Sequence, residues 1–188
     1  MKQYICLDIG GTFIKYGLIS GEGKFLQKGA VETESEKGAS SILNKVDGII
    51  REYSSDHKAE GICLSTAGIV DSRAGTIIHA NSNIPDYTGT NLKRHFEEKY
   101  GIPCEVENDV NCAGLAEAVS GAAVGKKIAF CLTVGTGIGG CLLVDGNIFH
   151  GGANCACEVG YMQSGKWSFE PEGTVSMLVA EAARRKGE

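Results

Sequence analysis

The first apolar run of this 188-residue chain ends in Asp8-Ile9-Gly10-Gly11-Thr12. Glycines let a backbone turn tightly and come close to a ligand. The Thr12 hydroxyl adds a donor, and consecutive turn amides form an anion-binding concavity that suits phosphate. Asp8, just before the turn, is the kind of carboxylate that holds the Mg2+ of a nucleotide. Lys15 brings a positive charge three residues past Thr12. A plain hairpin with a surface Asp is the structural alternative. A second copy favours the phosphate clamp: LDIGGTFIKYGLISG, Leu7 to Gly21, aligns without a gap on LTVGTGIGGCLLVDG, Leu132 to Gly146, at an offset of 125.

That second copy also spells G-x-G-x-x-G, from Gly135 to Gly140. A dinucleotide fingerprint opens a helix, whereas Cys141-Leu142-Leu143-Val144 and then Asp145-Gly146 read as strand and turn. The segment is a hairpin turn. No G-x-x-x-x-G-K-S/T occurs either.

Asp109 follows an apolar strand and precedes a helix. An Asp there is often an N-cap. It is also where a general base would stand, with the helix N-terminus favouring its charge. Asn108, a second polar group at the end of the same strand, points toward a site. Ser65-Thr66-Ala67-Gly68-Ile69-Val70-Asp71 and Asn81-Ser82-Asn83-Ile84-Pro85 put hydrogen-bonding groups in loops after strands. Such loops bind ligands in α/β proteins, although loops are polar in any case. Glu158, among Ala156, Cys157, Val159 and Gly160, is either a site residue or an exposed loop charge.

The elements that must position these residues follow from periodicity and turn residues. Strands are expected at 3–9, 13–20, 24–31 and 60–65, with a helix over 39–54 carrying Ile42, Val46, Ile49, Ile50 and Tyr53 on one face. Residues 66–90 hold at most two short strands. Asn91 should cap a helix bearing Leu92, Phe96 and Tyr100 that stops at Gly101 and Pro103. A strand over 103–107 and a helix over 110–120 follow, then a strand over 127–134, the second hairpin to about 149, a loop over 151–160 and a last helix over 173–186. Strands alternating with crossover helices make an α/β chain. The repeat divides it into lobes 1–120 and 121–188. The second lobe stops 56 residues after Leu132, so it reads as incomplete.

A hydrophobic fraction of 43% with 22% charged residues excludes disorder. The net charge of −5, without a basic cluster beyond Arg184-Arg185-Lys186, argues against nucleic acid. No apolar stretch reaches the roughly 20 residues of a membrane span, and MKQYICLDIGG is not a signal peptide. A cytoplasmic protein is the expectation. Most of the eight cysteines lie in apolar runs and read as reduced, buried thiols. Cys155-Ala156-Cys157 lacks a second pair or a nearby His, which disfavours a metal.

Together, DIGGTFIK (8–15), STAGIVD (65–71), NIPDYTGTNL (83–92), VENDVNCAGLAEA (106–118), TVGTGIGG (133–140) and HGGANCACEVGYM (150–162) resemble the ROK family of repressors and sugar kinases, in its order and over nearly the whole chain. The resemblance implies an actin/hexokinase-type (ribonuclease H-like) fold of duplicated lobes, the second incomplete here. It implies that Asp8, Gly10, Gly11 and Thr12, with Lys15 nearby, and the turn with Thr133, Gly135, Thr136, Gly137 and Gly139 face ATP phosphates and Mg2+. By the same resemblance Ser65, Gly68, Asn83, Asn108, Asp109, Glu158 and Tyr161 line the sugar, and Asp109 deprotonates the attacking hydroxyl. Zinc-binding members have His where Tyr161 stands, followed by a cysteine-rich segment. Here residues 165–177 hold no cysteine, which implies no zinc. Only seven residues precede Asp8, against the helix-turn-helix that the family's repressors carry.

The expected function is therefore an ATP-dependent hexose kinase, glucokinase-like and acting at O6, with a homodimer left open as an assembly. The alternative is a non-catalytic sugar-binding or regulatory remnant. With few elements after the second hairpin, Ile128, Phe130, Leu142 and Val144 should be partly exposed, favouring self-association and weak ATP binding.

Overall fold

A computed structural model describes residues 1–164 and 167–187. Gly165 and Lys166, part of the segment that argued against zinc, lie outside the described residues, as does Glu188. The chain divides into two compact units, Met1–Asp109 and Val110–Glu188.

The first unit is built on a five-stranded sheet. It comprises β1 (Gln3–Ile9), β2 (Phe13–Ser20), β3 (Phe25–Glu32), β4 (Gly61–Thr66) and β7 (Cys104–Asn108), in the order β3-β2-β1-β4-β7. β1, β2 and β3 pair antiparallel, while β1–β4 and β4–β7 are parallel. Parallel neighbours need long crossovers. Here these contain α1 (Ala39–Asp56) and α2 (Leu92–Tyr100), with the short pair β5 (Ile69–Asp71) and β6 (Thr76–His79) in the second.

Side chains alternate across a strand. Ile5, Leu7 and Ile9, with Ile62, Leu64 and Val106, are buried in one core with Ile42, Val46, Ile50 and Phe96 of the helices. Each such side chain stabilises by about 1.5–3 kcal/mol. The alternate residues Cys6, Asp8, Cys63, Ser65, Glu105 and Glu107 are left on the opposite face. Asn91 caps α2 as expected, its Oδ1 accepting the Arg94 amide at 2.8 Å. Asp47 of α1 ties the two helices: Arg51 donates to Oδ2 at 2.6 Å, while Lys99 and the Tyr100 hydroxyl reach Oδ1, each at 2.7 Å.

The second unit holds most of α3 (Asp109–Ser120), then β8 (Ile128–Val134), β9 (Ile138–Val144) and β10 (Asn147–Ile148), a sheet of order β10-β9-β8. β11 (Gln163–Ser164), β12 (Trp167–Ser168), α4 (Phe169–Gly173) and α5 (Val175–Lys186) follow. The sequence reading closed the first lobe after residue 120, whereas the unit boundary falls after Asp109. The cause is packing: a Cβ on Gly114 would lie 2.6 Å from Cys141 Sγ, so α3 lies hard against β9. α4 and the two-residue strands were not foreseen, being too short for any periodicity. Thr174 caps α5, its hydroxyl accepting the Met177 amide at 3.4 Å. On the other face of β8, Ile128, Phe130, Leu132 and Val134 are exposed, as is Val144; Leu142 is half-buried. Among the described residues no helix is long and apolar enough to cross a membrane.

The 125-residue echo holds for both hairpins, since β8 spans the residues that β1 does at that offset and β9 starts where β2 does. Their turns differ. Ile9 pairs with Ile14 but Val134 with Ile138, so the second turn is one residue tighter.

Candidate functional site

Register brings four polar residues into one row across the open face of the first sheet. Asp8 pairs with Lys15 on β2 and Ser65 on β4, and Ser65 with Glu107 on β7. The Ser65 hydroxyl donates to Asp8 Oδ1 at 2.8 Å. Lys15 Nζ lies 3.9 Å from Asp8 Oδ2 with its side chain 70% exposed, so that pair adds little stability. Glu107, which the sequence reading passed over, accepts the Asn108 amide on Oε1 at 2.8 Å. Asp8, expected on the nucleotide side, and Ser65, expected on the sugar side, thus share one hydrogen bond.

The first turn, between β1 and β2, is braced from below. The Gly10 amide donates to Phe13 O at 3.1 Å, closing the turn on itself. Buried Thr33, just after β3, donates its hydroxyl to Gly10 O at 2.6 Å and its amide to Thr12 O at 2.9 Å. Gly11 and Thr12 are exposed, and no atom lies within 4 Å of a Cβ built on Gly11. Close approach by a phosphate is therefore open at Gly11, whereas the Gly10 amide is spent inside the turn. Thr33 carried no local signal, because its partners lie more than twenty residues away.

At the start of α3, Asn108 Nδ2 donates to both Gly68 O and Asp109 Oδ1, each at 3.0 Å. Gly68 has φ +101°, and a Cβ on it would lie 2.6 Å from His79 O, so only glycine turns the chain there. Asp109 is the first residue of α3, where the helix dipole favours negative charge. The loop before α2 is pinned by buried Tyr87, 2.8 Å from the Thr66 hydroxyl. Burial pushes the Tyr87 phenol up to about 12 despite that bond. Asn83 is exposed and bonded within its own loop, its amide donating to Asn81 Oδ1 at 3.1 Å.

In the second unit the Gly135 amide donates to Gly137 O at 2.9 Å, and Gly135 O accepts the Val175 amide at 3.0 Å. Gly10 and Gly135, equivalent in the echo, thus both have their carbonyls clamped by a residue from further along the chain. Glu170, also unforeseen, accepts the Ile138 amide at 3.1 Å, with Oε2 3.0 Å from where a Gly137 Cβ would stand. Gly135 has open space and Thr136 is exposed. Gly139 answers to packing, since a Cβ there would lie 2.3 Å from Val110 Cγ2, and it accepts the Thr133 hydroxyl at 3.4 Å. Glu158 precedes a single 3-10 turn, its carbonyl accepting the amide of exposed Tyr161 at 3.2 Å. Among the described residues no three of His, Cys, Asp or Glu are placed to share a metal ion.

The model of the ROK family matches residues 4–176. An uncharacterized protein of Clostridium perfringens is 46% identical over all of this chain and 63% of its own length. The glucokinase of Halalkalibacterium halodurans is 34% identical over 86% of this chain and 50% of that protein. Among solved structures, a ROK family glucokinase from Streptomyces griseus, in complex with glucose and AMPPNP, superposes with a TM-score of 0.84 at 30% identity. It covers 98% of this chain and 61% of its own. The chain thus spans less than two thirds of each of these relatives.

Proposed function

The chain belongs to the ROK family and has its actin/hexokinase-type α/β fold, and from that premise we propose that it serves an ATP-dependent hexose kinase that phosphorylates a sugar hydroxyl, at O6 in the glucokinase manner. The observation that carries this reading is the bridge from Gly68 O through Asn108 Nδ2 to Asp109 Oδ1. It fixes a carboxylate at a helix start, where a general base for a hydroxyl is needed. The glucose and AMPPNP held by the Streptomyces griseus relative support the same pair of substrates here.

In this reading Asp109 takes the proton from the attacking hydroxyl, and Asn108 holds the carboxylate in one orientation. Ser65, Gly68, Asn83, Glu158 and Tyr161 supply further groups for the sugar. Gly11 and Thr12 in the first turn, with Lys15 beside it, and Gly135 and Thr136 in the second present backbone and hydroxyl groups to phosphates. Asp8, oriented by Ser65, is the residue suited to hold Mg2+, which neutralises charge on the transferring phosphoryl group when bound. Phosphoryl transfer of this kind depends on positioning more than on covalent chemistry by the protein, which fits turns braced from outside. A cytoplasmic location without zinc completes the reading.

A coupled ADP-release assay with glucose, N-acetylmannosamine, N-acetylglucosamine and a β-glucoside tests it. Sugar-dependent ADP release that vanishes in Asp109→Asn is the expected result. Calorimetric sugar binding with no ADP release from any of the four would favour the non-catalytic alternative.

A further inference from the structure

Three cysteines stand on neighbouring strands of the five-stranded sheet, and the pleat treats them differently. Cys104 on β7 is fully buried with the core. Burial, reinforced by Glu97, pushes its thiol up to about 12, so it is inert at neutral pH. Cys6 on β1 and Cys63 on β4 share the opposite face, Cys6 half-buried and Cys63 exposed. They are direct register partners in the parallel pair. Paired residues on adjacent strands stand about 4.8 Å apart, inside the range of roughly 4.4–6.8 Å that a disulfide spans between Cα atoms. A hydrogen bond from Cys6 holds the Cys63 thiol below its ordinary range. That favours thiolate, the reactive species. Neither cysteine has a part in the chemistry proposed above.

We propose that Cys6 and Cys63 form a modification site at which hydrogen peroxide drives an intramolecular disulfide. The Cys63 thiolate attacks one peroxide oxygen and the O–O bond breaks. The leaving hydroxide takes up a proton as water, and Cys63 becomes a sulfenic acid. The Cys6 sulfur then attacks the Cys63 sulfur and the S–O bond breaks. The departing hydroxide takes the Cys6 proton as a second water. Two thiols lose two electrons and two protons, and one peroxide is reduced to two waters. Asp8 and Ser65 lie two residues further along these same strands on the same face, so the crosslink tightens the sheet next to their hydrogen bond.

The test is peptide mapping of the folded chain after hydrogen peroxide treatment and alkylation. Trypsin leaves Cys6 in residues 3–15 and Cys63 in residues 59–73, each the sole cysteine of its peptide. The expected product is these two peptides joined with the loss of two hydrogens, separated again by dithiothreitol, with Cys104 unmodified. In Cys6→Ser, dimedone should label Cys63, and in Cys63→Ser it should leave Cys6 unlabelled. No linked 3–15/59–73 peptide from the unsubstituted chain, or a product dominated by another cysteine pair, overturns the proposal. Labelling of Cys6 rather than Cys63 in those variants overturns the order of attack. None of these readouts depends on kinase activity.

Discussion

Asn108 Nδ2 donates to Asp109 Oδ1 at 3.0 Å while the same amide nitrogen donates to Gly68 O at 3.0 Å. A two-donor group anchored on a glycine carbonyl leaves the Asp109 carboxylate little rotational choice. In the proposed reading, that orientation suits Asp109 to take the proton of the attacking hydroxyl.

Asp109→Asn should keep α3, because Asn also serves at a helix start, while turnover falls by roughly 10²–10⁴. Near-normal turnover with unchanged sugar affinity, measured beside a circular dichroism check of the fold, would reduce Asp109 to a helix-start residue.

The turn brace gives a second prediction. Thr33→Val removes the hydroxyl from Gly10 O and leaves a half-buried carbonyl short of a partner, a loss of about 0.5–1.5 kcal/mol. Since the turn faces phosphate in the proposed reading, KM for ATP should rise more than kcat falls. Thr33→Ser, which keeps the hydroxyl, should restore it. A loss of thermal stability with KM for ATP unmoved would make Thr33 structural only.

Much of this was legible in the sequence, for a stated physical reason. The 125-residue echo put two hairpins in place because strand, glycine turn and strand are local patterns, and the Asn91 cap is equally local. Thr33, Glu170 and the Asp8–Ser65 bond were not legible, because each depends on strand order or on a partner far along the chain. The reading of Gly139 as part of a phosphate turn missed its packing against Val110, which only the placement of α3 reveals.

Asp47 gives a pH prediction. Burial raises its carboxyl, but bonds from Lys99, Tyr100 and Arg51 outweigh this and hold it at about 2, below its ordinary 3.8. A lowered folded value means the stabilisation is present above the unfolded value and is lost as pH falls through the folded one. The window is therefore about pH 4 down to 2. Arg51 and Lys99 are 72% and 47% exposed, so screening limits the contribution to roughly 1–2 kcal/mol. Asp47→Asn should cost that much at pH 7 in urea unfolding and flatten the acid loss. An unchanged slope between pH 4 and 2 would contradict this account.

Metal content is a direct check on the zinc-free reading. Protein purified without added metal should contain far less than one zinc per chain by elemental analysis. A stoichiometric zinc whose chelation unfolds the chain would point to Cys155 and Cys157, the one closely spaced cysteine pair.

The exposed apolar row on β8 gives the last prediction. Ile128, Phe130, Leu132 and Val134 are 66%, 54%, 45% and 51% exposed, and β8 is an edge strand of its sheet. An apolar stripe on an unpaired edge invites edge-to-edge pairing and association. The 188-residue chain should therefore show concentration-dependent light scattering well above that of a monomer. Phe130→Lys places a charge in the middle of the stripe without touching the α3-facing side, where Cys131 and Cys141 pack against Gly114. It should lower the scattering at equal concentration while leaving the circular dichroism spectrum unchanged. A monodisperse monomer before any substitution would mean that this face is not sticky, and that the stripe's apolar character serves something other than association.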